Sequence, residues 1–364
     1  MAGNLAGVKP VVNKLTPYIP GKSIEEVARE LGVKEIIKLA SNENPLGPSR
    51  LAMEAIQDEL ANISQYPDNT NRVLREELAR RVGLDSAAIA LANGEDNIIT
   101  VVAQTFLEPG ERAIIPAMSF PPYRTMSLVS GAEVVEIPLQ DFRQDLLATA
   151  KAVNERTKLV FICNPNNPTG TGVSEKELTA FLNDLPRHVF VALDEAYCEY
   201  VEDPAIPNGV DYLKQGYNVL VMRTFSKFYG LAGLRIGYIM ADPVYIEAML
   251  KIKEPFALNR LGDRAALAVL ADEEYQAQTR AINRQGKAFL YRELKRLGLQ
   301  YVPTEANFIL LDTGRPTREV HDQLLLRGVI VRPTFSWGLA THIRVTIGTQ
   351  EQNERFIKAL EEVL

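Results

Sequence analysis

The sequence predicts an α/β fold: a mostly parallel sheet sandwiched by helices, with a smaller α+β region after it. Two observations predict this. Between about residues 36 and 240, short apolar runs alternate with stretches whose apolar positions recur at helical spacing, the pattern of βα units. After about Pro255 the texture changes to one long helical stretch, then to short strands around a helix. At 364 residues the chain exceeds one average domain. The expected division is an N-terminal arm and small-domain segment over 1–35, a large domain over 36–258 and a small C-terminal domain over 259–364.

Prolines and a glycine crowd Thr16-Pro17-Tyr18-Ile19-Pro20-Gly21, which excludes regular structure and suits an arm lying on something else. Ser23 and Glu26 have capping-box spacing for a helix through Leu31. A strand over 36–39 leads into the polar, proline-punctuated loop ASNENPLGP over 40–48. Helices are expected over 51–60 and, from Leu74, Leu78 and Val82, up to Gly83, with Tyr66-Pro67-Asp68 breaking the chain between them. A strand over 89–91 is followed by Asn93-Gly94-Glu95-Asp96, which opens a helix with Ile98, Val102 and Phe106 on its apolar face. Strands over 113–115 and 133–137 flank a helix over 122–129, and another helix falls near 146–153. Three apolar strands follow, over 159–163, 189–193 and 219–222, then a fourth over 236–240; Ser174 and Glu177 cap a helix after the first of them. Beyond Pro255 the expectation is a helix over 264–297, strands over 301–302, 307–311, 329–332 and 342–346, and a helix over 317–327.

Composition bounds the partners. Hydrophobic residues at 46% and charged ones at 24% are ordinary for a soluble globular protein. A net charge of -6 argues against a nucleic-acid partner held by its phosphates, but not against a small phosphorylated ligand. Cys163 and Cys198 lack C-x-x-C spacing, and with no signal peptide they point to a reducing cytoplasm. His188, His321 and His342 are scattered, so no metal site is expected, and no apolar run approaches a membrane span.

The chemistry gathers at strand ends, where open α/β sheets place their ligands. Lys227 lies just past the 219–222 strand, in Arg223-Thr224-Phe225-Ser226-Lys227. An amine desolvated there loses basicity and becomes a nucleophile toward an aldehyde. Ser226 supplies a hydroxyl beside it and Arg235 a fixed positive charge, so the group suits a ligand carrying both an aldehyde and a phosphate. Gly94-Glu95-Asp96 at a helix start offers free N–H groups to that phosphate, although a glutamate works against a phosphate unless its carboxylate points away. Asn167, before Pro168-Thr169-Gly170, holds an amide outward. Asp194 ends an apolar strand and needs a cationic partner, for which a protonated pyridine nitrogen serves. Tyr197 lies three residues on, and Phe120 offers a ring for stacking. Each feature alone has a plain alternative: a surface lysine, an N-cap, a proline-rich turn, a capping aspartate or a core aromatic.

Together these residues make the chain recognisable. NPNNPTG at 164–170, LDEAY at 193–197, TFSKFYGLAGLRIGY at 224–238 and IRVTIG at 343–348 resemble the aspartate-aminotransferase superfamily of pyridoxal-phosphate enzymes. LTPYIPGK at 15–22, NENPLGPS at 42–49 and YPD at 66–68 point to its histidinol-phosphate aminotransferase branch. The resemblance implies pyridoxal 5'-phosphate as cofactor and Lys227 as the lysine that bonds to it. It implies Asp194 as partner of the ring nitrogen, and Asn167 and Tyr197 as ligands of the ring oxygen. Thr224, Ser226, Arg235 and the Gly94-Glu95-Asp96 turn match the phosphate site, and Tyr66 the tyrosine that reaches the other subunit's phosphate, which implies a homodimer. Arg344 matches the arginine that binds the substrate's anionic group, and Arg332, Tyr18, Asn44 and Phe256 match positions near the substrate. Three residues depart from the pattern. Glu95 stands where a small hydroxyl residue is usual, and Phe120 and Phe256 stand where some members have tyrosine. The implied reaction moves an amino group between L-histidinol phosphate and 2-oxoglutarate in histidine biosynthesis. An aromatic amino-acid aminotransferase and a threonine-phosphate decarboxylase are the alternatives.

Overall fold

The strands pair into two sheets in a computed structural model that describes residues 7–17 and 21–364. In chain order they are β1 Ile37–Leu39, β2 Ile89–Asn93, β3 Arg112–Pro116, β4 Glu133–Ile137, β5 Thr157–Cys163, β6 Phe190–Asp194, β7 Val219–Thr224, β8 Ile236–Met240, β9 Gln300–Val302, β10 Phe308–Asp312, β11 Val329–Pro333 and β12 His342–Thr346. The larger sheet has the order β2-β8-β7-β6-β5-β3-β4. Its neighbours pair in parallel from β4 through β7, and only β8 runs against the rest.

A sheet covered on both faces reads as continuous apolar runs, since every second side chain meets a different helical layer. Ile162, Val191, Leu193, Val219 and Val221 belong to one core, while Phe161, Phe190, Ala192, Leu220 and Met222 belong to the other. Ser174 makes a full capping box with Glu177 and starts the helix Glu175–Asp184.

The smaller sheet has the order β1-β11-β12-β10-β9 and packs against its own core, with Leu290, Leu324, Phe356 and Leu360. Two expectations need correction here. β1, grouped by sequence with residues 36–258, pairs parallel with Val329–Val331 of β11 in this second sheet. Three residues carry too little pattern to choose a sheet. The helix expected over 264–297 is two, Arg260–Ala271 and Glu273–Arg296, because the Asp272 side chain accepts the Tyr275 N–H and restarts the helix. Ser23 accepts the Glu26 N–H but no reciprocal bond completes the box. The helices Pro243–Leu250 and Gln350–Val363 had no counterpart in the sequence reading, although the second opens with a capping box from Thr349 and Gln352.

Candidate active site

The carboxyl ends of β5, β6 and β7 open into a cavity of about 350 Å³. Ser41, Asn42, Glu95, Asp96, Phe120, Asn167, Asp194, Tyr197, Lys227 and Arg344 line it. β6 delivers Asp194. The two-residue period turns it to the side of Phe190 and Ala192, where the Tyr123 hydroxyl donates to Oδ2. The Ala196 N–H donates to Oδ1 at 3.0 Å. Burial pushes the Asp194 carboxyl up, against these donors.

Lys227 follows β7 and donates from Nζ to the Ser41 carbonyl at 3.0 Å. Desolvation first, and the Arg344 guanidinium second, bring its pKa down to about 8; Glu95 and Glu43 oppose the shift. Tyr197 receives a 2.9 Å bond from the Asn42 amide, so its own O–H is left to point elsewhere. Burial pushes that phenol up, and it stays protonated. Arg344 donates to Asn167 Oδ1 and to the Ala40 carbonyl. A guanidinium only donates, so this contact fixes which end of the Asn167 amide is oxygen and leaves the NH₂ for a ligand.

The helix Glu95–Phe106 presents its first N–H groups beside Gly94, which has φ +80. A Cβ on Gly94 would lie 2.6 Å from Arg235 Nη2, and one on Gly237 would lie 2.5 Å from the Gly94 carbonyl carbon. Two glycines thus let β8 and Arg235 close against the helix start. Arg235 has φ +54, a left-handed conformation that costs a non-glycine residue about 1–2 kcal/mol, and pairs with Asp96 at 3.1 Å. Ser226 and Thr224 are buried; the Ser226 N–H donates to Thr224 Oγ1 at 3.1 Å, and Thr224 in turn bonds Ser226 Oγ at 3.0 Å and the Ile236 carbonyl at 3.1 Å.

Several expected residues lie elsewhere. Asn44 does not line this cavity: its amide donates to the Phe228 carbonyl and to the Tyr275 and Thr279 hydroxyls, which anchors this end of the loop. Its neighbour Asn42, with φ +56, holds the cavity side. Arg332 lines an adjoining cavity with Arg124, Arg318 and His321, although it sits opposite Arg344 across β11 and β12. Tyr66 is 78% exposed and stacks on Phe256 with ring centroids 4.5 Å apart. Neither lines this chain's cavity. Tyr18 lies outside the described residues. The sequence reading missed Tyr123 and Trp337. Tyr123 sits on a helix that reads as plain core; Trp337, whose indole donates to the Ser119 carbonyl at 2.8 Å, ends the single 3₁₀ turn Phe335–Trp337, too short to carry a pattern.

The sequence model of the family "Aminotransferase class I and II" matches residues 34–360. The chain belongs to this family. Among its aminotransferase relatives, the histidinol-phosphate aminotransferase of Moorella thermoacetica is 48% identical over 357 residues, covering 98% of this chain and 92% of that protein. The one from Symbiobacterium thermophilum is 46% identical and covers 99% of both. A solved histidinol-phosphate aminotransferase from Sinorhizobium meliloti, in complex with pyridoxal-5'-phosphate, has a TM-score of 0.89 at 29% identity. That match covers 99% of this chain and 98% of that one.

Proposed function

We propose that this aminotransferase moves the amino group between L-histidinol phosphate and 2-oxoglutarate, with pyridoxal 5'-phosphate as cofactor, as a cytoplasmic homodimer. The observation that carries the reading is the Lys227 amine, withdrawn from water in the same cavity as the buried Asp194 carboxylate. Similarity over nearly the whole chain to histidinol-phosphate aminotransferases supports the amino donor. The two sheets are read as two domains, with β1 joined to the second.

The residues present fit the cofactor. Asp194 keeps accepting capacity beyond Tyr123 and Ala196, which suits a protonated pyridine nitrogen. The helix start beside Gly94, with Arg235 against it, suits a phosphate. Asn167 and Tyr197 offer an N–H and an O–H to the ring oxygen, and Phe120 an aromatic face. When bound, pyridoxal phosphate supplies an aldehyde that bonds to amines and a ring that withdraws electrons from the substrate Cα.

The chain's own residues do the rest. Lys227 yields its place to the substrate amine, takes the Cα proton on Nζ as general base and later returns it. Asp194 holds the proton on the ring nitrogen by staying anionic. Arg344 receives the carboxylate of the 2-oxo acid in one half-reaction and the phosphate of the donor in the other, since its planar fork matches both. Tyr66, turned outward on this chain, serves the site of the partner subunit.

The test is a half-reaction without oxo acid. Purified holoprotein is mixed with L-histidinol phosphate and separately with L-phenylalanine, and the visible absorbance of the cofactor is followed. Fast bleaching by histidinol phosphate and far slower bleaching by phenylalanine is the expected result. The reverse order would make the protein an aromatic amino-acid aminotransferase.

A further inference from the structure

Glu95 is the first residue of the Glu95–Phe106 helix, is 9% exposed and lines the cavity. Its Oε1 is buried and meets no N–H or O–H group of the described residues. The Asp194 carboxylate lines the same cavity and lies within hydrogen-bonding reach of Glu95. Two buried carboxylates in contact do not both ionise, so one proton lies between them. Asp194 already accepts from Tyr123 and from the Ala196 N–H, donors that favour its anion. Glu95 Oε1 has no such donor, so the proton belongs on Glu95.

The surroundings agree. Asp194 faces Glu95 from β6, Asp96 from its own helix and Lys227 from the segment after β7. Tyr123, from the helix Pro122–Val129, and Cys163, at the end of β5, complete the ionisable set near it. Arg235 is engaged with Asp96. Burial, then the charge on Asp194, holds the Glu95 carboxyl well above the usual carboxylate range, with Lys227 opposing.

We propose that Glu95 is a positioning residue that stays protonated in the working enzyme, donating a hydrogen bond to Asp194, and that a phosphate-bearing cofactor loads only onto the neutral form. The inference rests on reading the cavity as the pyridoxal-phosphate site. Neutral Glu95 stands beside the phosphate without repelling it, and its donated hydrogen bond keeps Asp194 anionic for the ring nitrogen. Ionised Glu95 sets a negative charge against both. The proton stays on the pair throughout and none passes to the cofactor.

The probe is 4-deoxypyridoxine 5'-phosphate, which lacks the aldehyde and leaves Lys227 unbonded. Its affinity is measured by calorimetry between about pH 7 and 9, where the phosphate keeps a constant charge because its second pKa is about 6. Lys227 titrates in the same window in every variant, so the comparison is between the slopes of wild type and Glu95→Gln, whose amide imitates the neutral donor. One linked proton steepens the wild-type slope toward an additional ~tenfold loss of affinity per pH unit. Glu95→Gln is therefore expected to hold its affinity where wild type loses it, the ratio between them rising with pH by up to about tenfold per unit as Glu95 ionises in the free protein. Parallel slopes would overturn the inference while leaving the cofactor site in place. No binding by either protein at any pH would overturn the cofactor reading and the inference with it. If Glu95→Gln does not fold, the infrared carbonyl band of a protonated carboxyl is followed in wild type. A band that shifts when the analogue is added is expected, and no responsive band would overturn the proposal.

Discussion

Lys227 and Arg344 divide the work of the cavity between a titratable amine and a permanent cation. With a pKa near 8, Lys227 is mostly ammonium at neutral pH, and inert toward an aldehyde until it loses its proton. The folded pKa lies below that of a free lysine, so the reactive form gains as pH rises through about 8 and has levelled off well before 10.5. Cofactor bonding to apoprotein, followed by absorbance, is expected to track that curve; a midpoint near 10 would mean the amine is hydrated. Lys227→Ala should bind the cofactor without bonding to it. Arg344→Ala should slow the half-reactions of both L-glutamate and L-histidinol phosphate. It also strips the Asn167 and Ala40 oxygens of a buried donor, which should destabilise the fold by about 1–3 kcal/mol. A defect confined to one substrate would indicate two separate anion sites.

At the scale of elements, the site depends on how closely β8 approaches the helix Glu95–Phe106. Gly237→Ala would drive a methyl into the Gly94 backbone, where the nearest atom is 2.5 Å away and backbone cannot step aside cheaply. The expected cost is about 1–3 kcal/mol in urea unfolding, with weaker retention of cofactor as the phosphate pocket opens. Normal cofactor affinity in that variant would mean the phosphate sits elsewhere. The strand ends that build this region were legible because buried parallel strands are uniformly apolar and stop abruptly at a polar residue, as β6 does at Asp194. What was not legible depended on pairing at a distance. Sequence cannot tell which sheet takes the three residues of β1, or that Tyr123 rather than a solvent molecule would meet Asp194. Asn42 and Asn44 share one loop and one residue type, and only the fold decides which faces the cavity.

Across the whole molecule, the cavity is made by both sheets. β12 brings Arg344 to Asn167, and Trp337 ties its loop to Ser119 beside Phe120. The stacked pair Tyr66 and Phe256 is exposed on this chain, and the proposed dimer would cover it. Subunit mixing tests this. Tyr66→Ala and Lys227→Ala proteins, each impaired alone, should regain activity when unfolded together and refolded, because a hybrid dimer holds one site with both residues. If Tyr66 served its own chain, mixing would restore nothing. The bond from Arg344 to Asn167 has a consequence for binding. An arriving anion meets a guanidinium already held by Asn167 and Ala40, so the fork is aimed before the anion reaches it. Little side-chain freedom is then lost on binding, and the same fixed fork serves each anion in turn. That suits a catalyst whose one cavity must release each product before it can admit the other substrate.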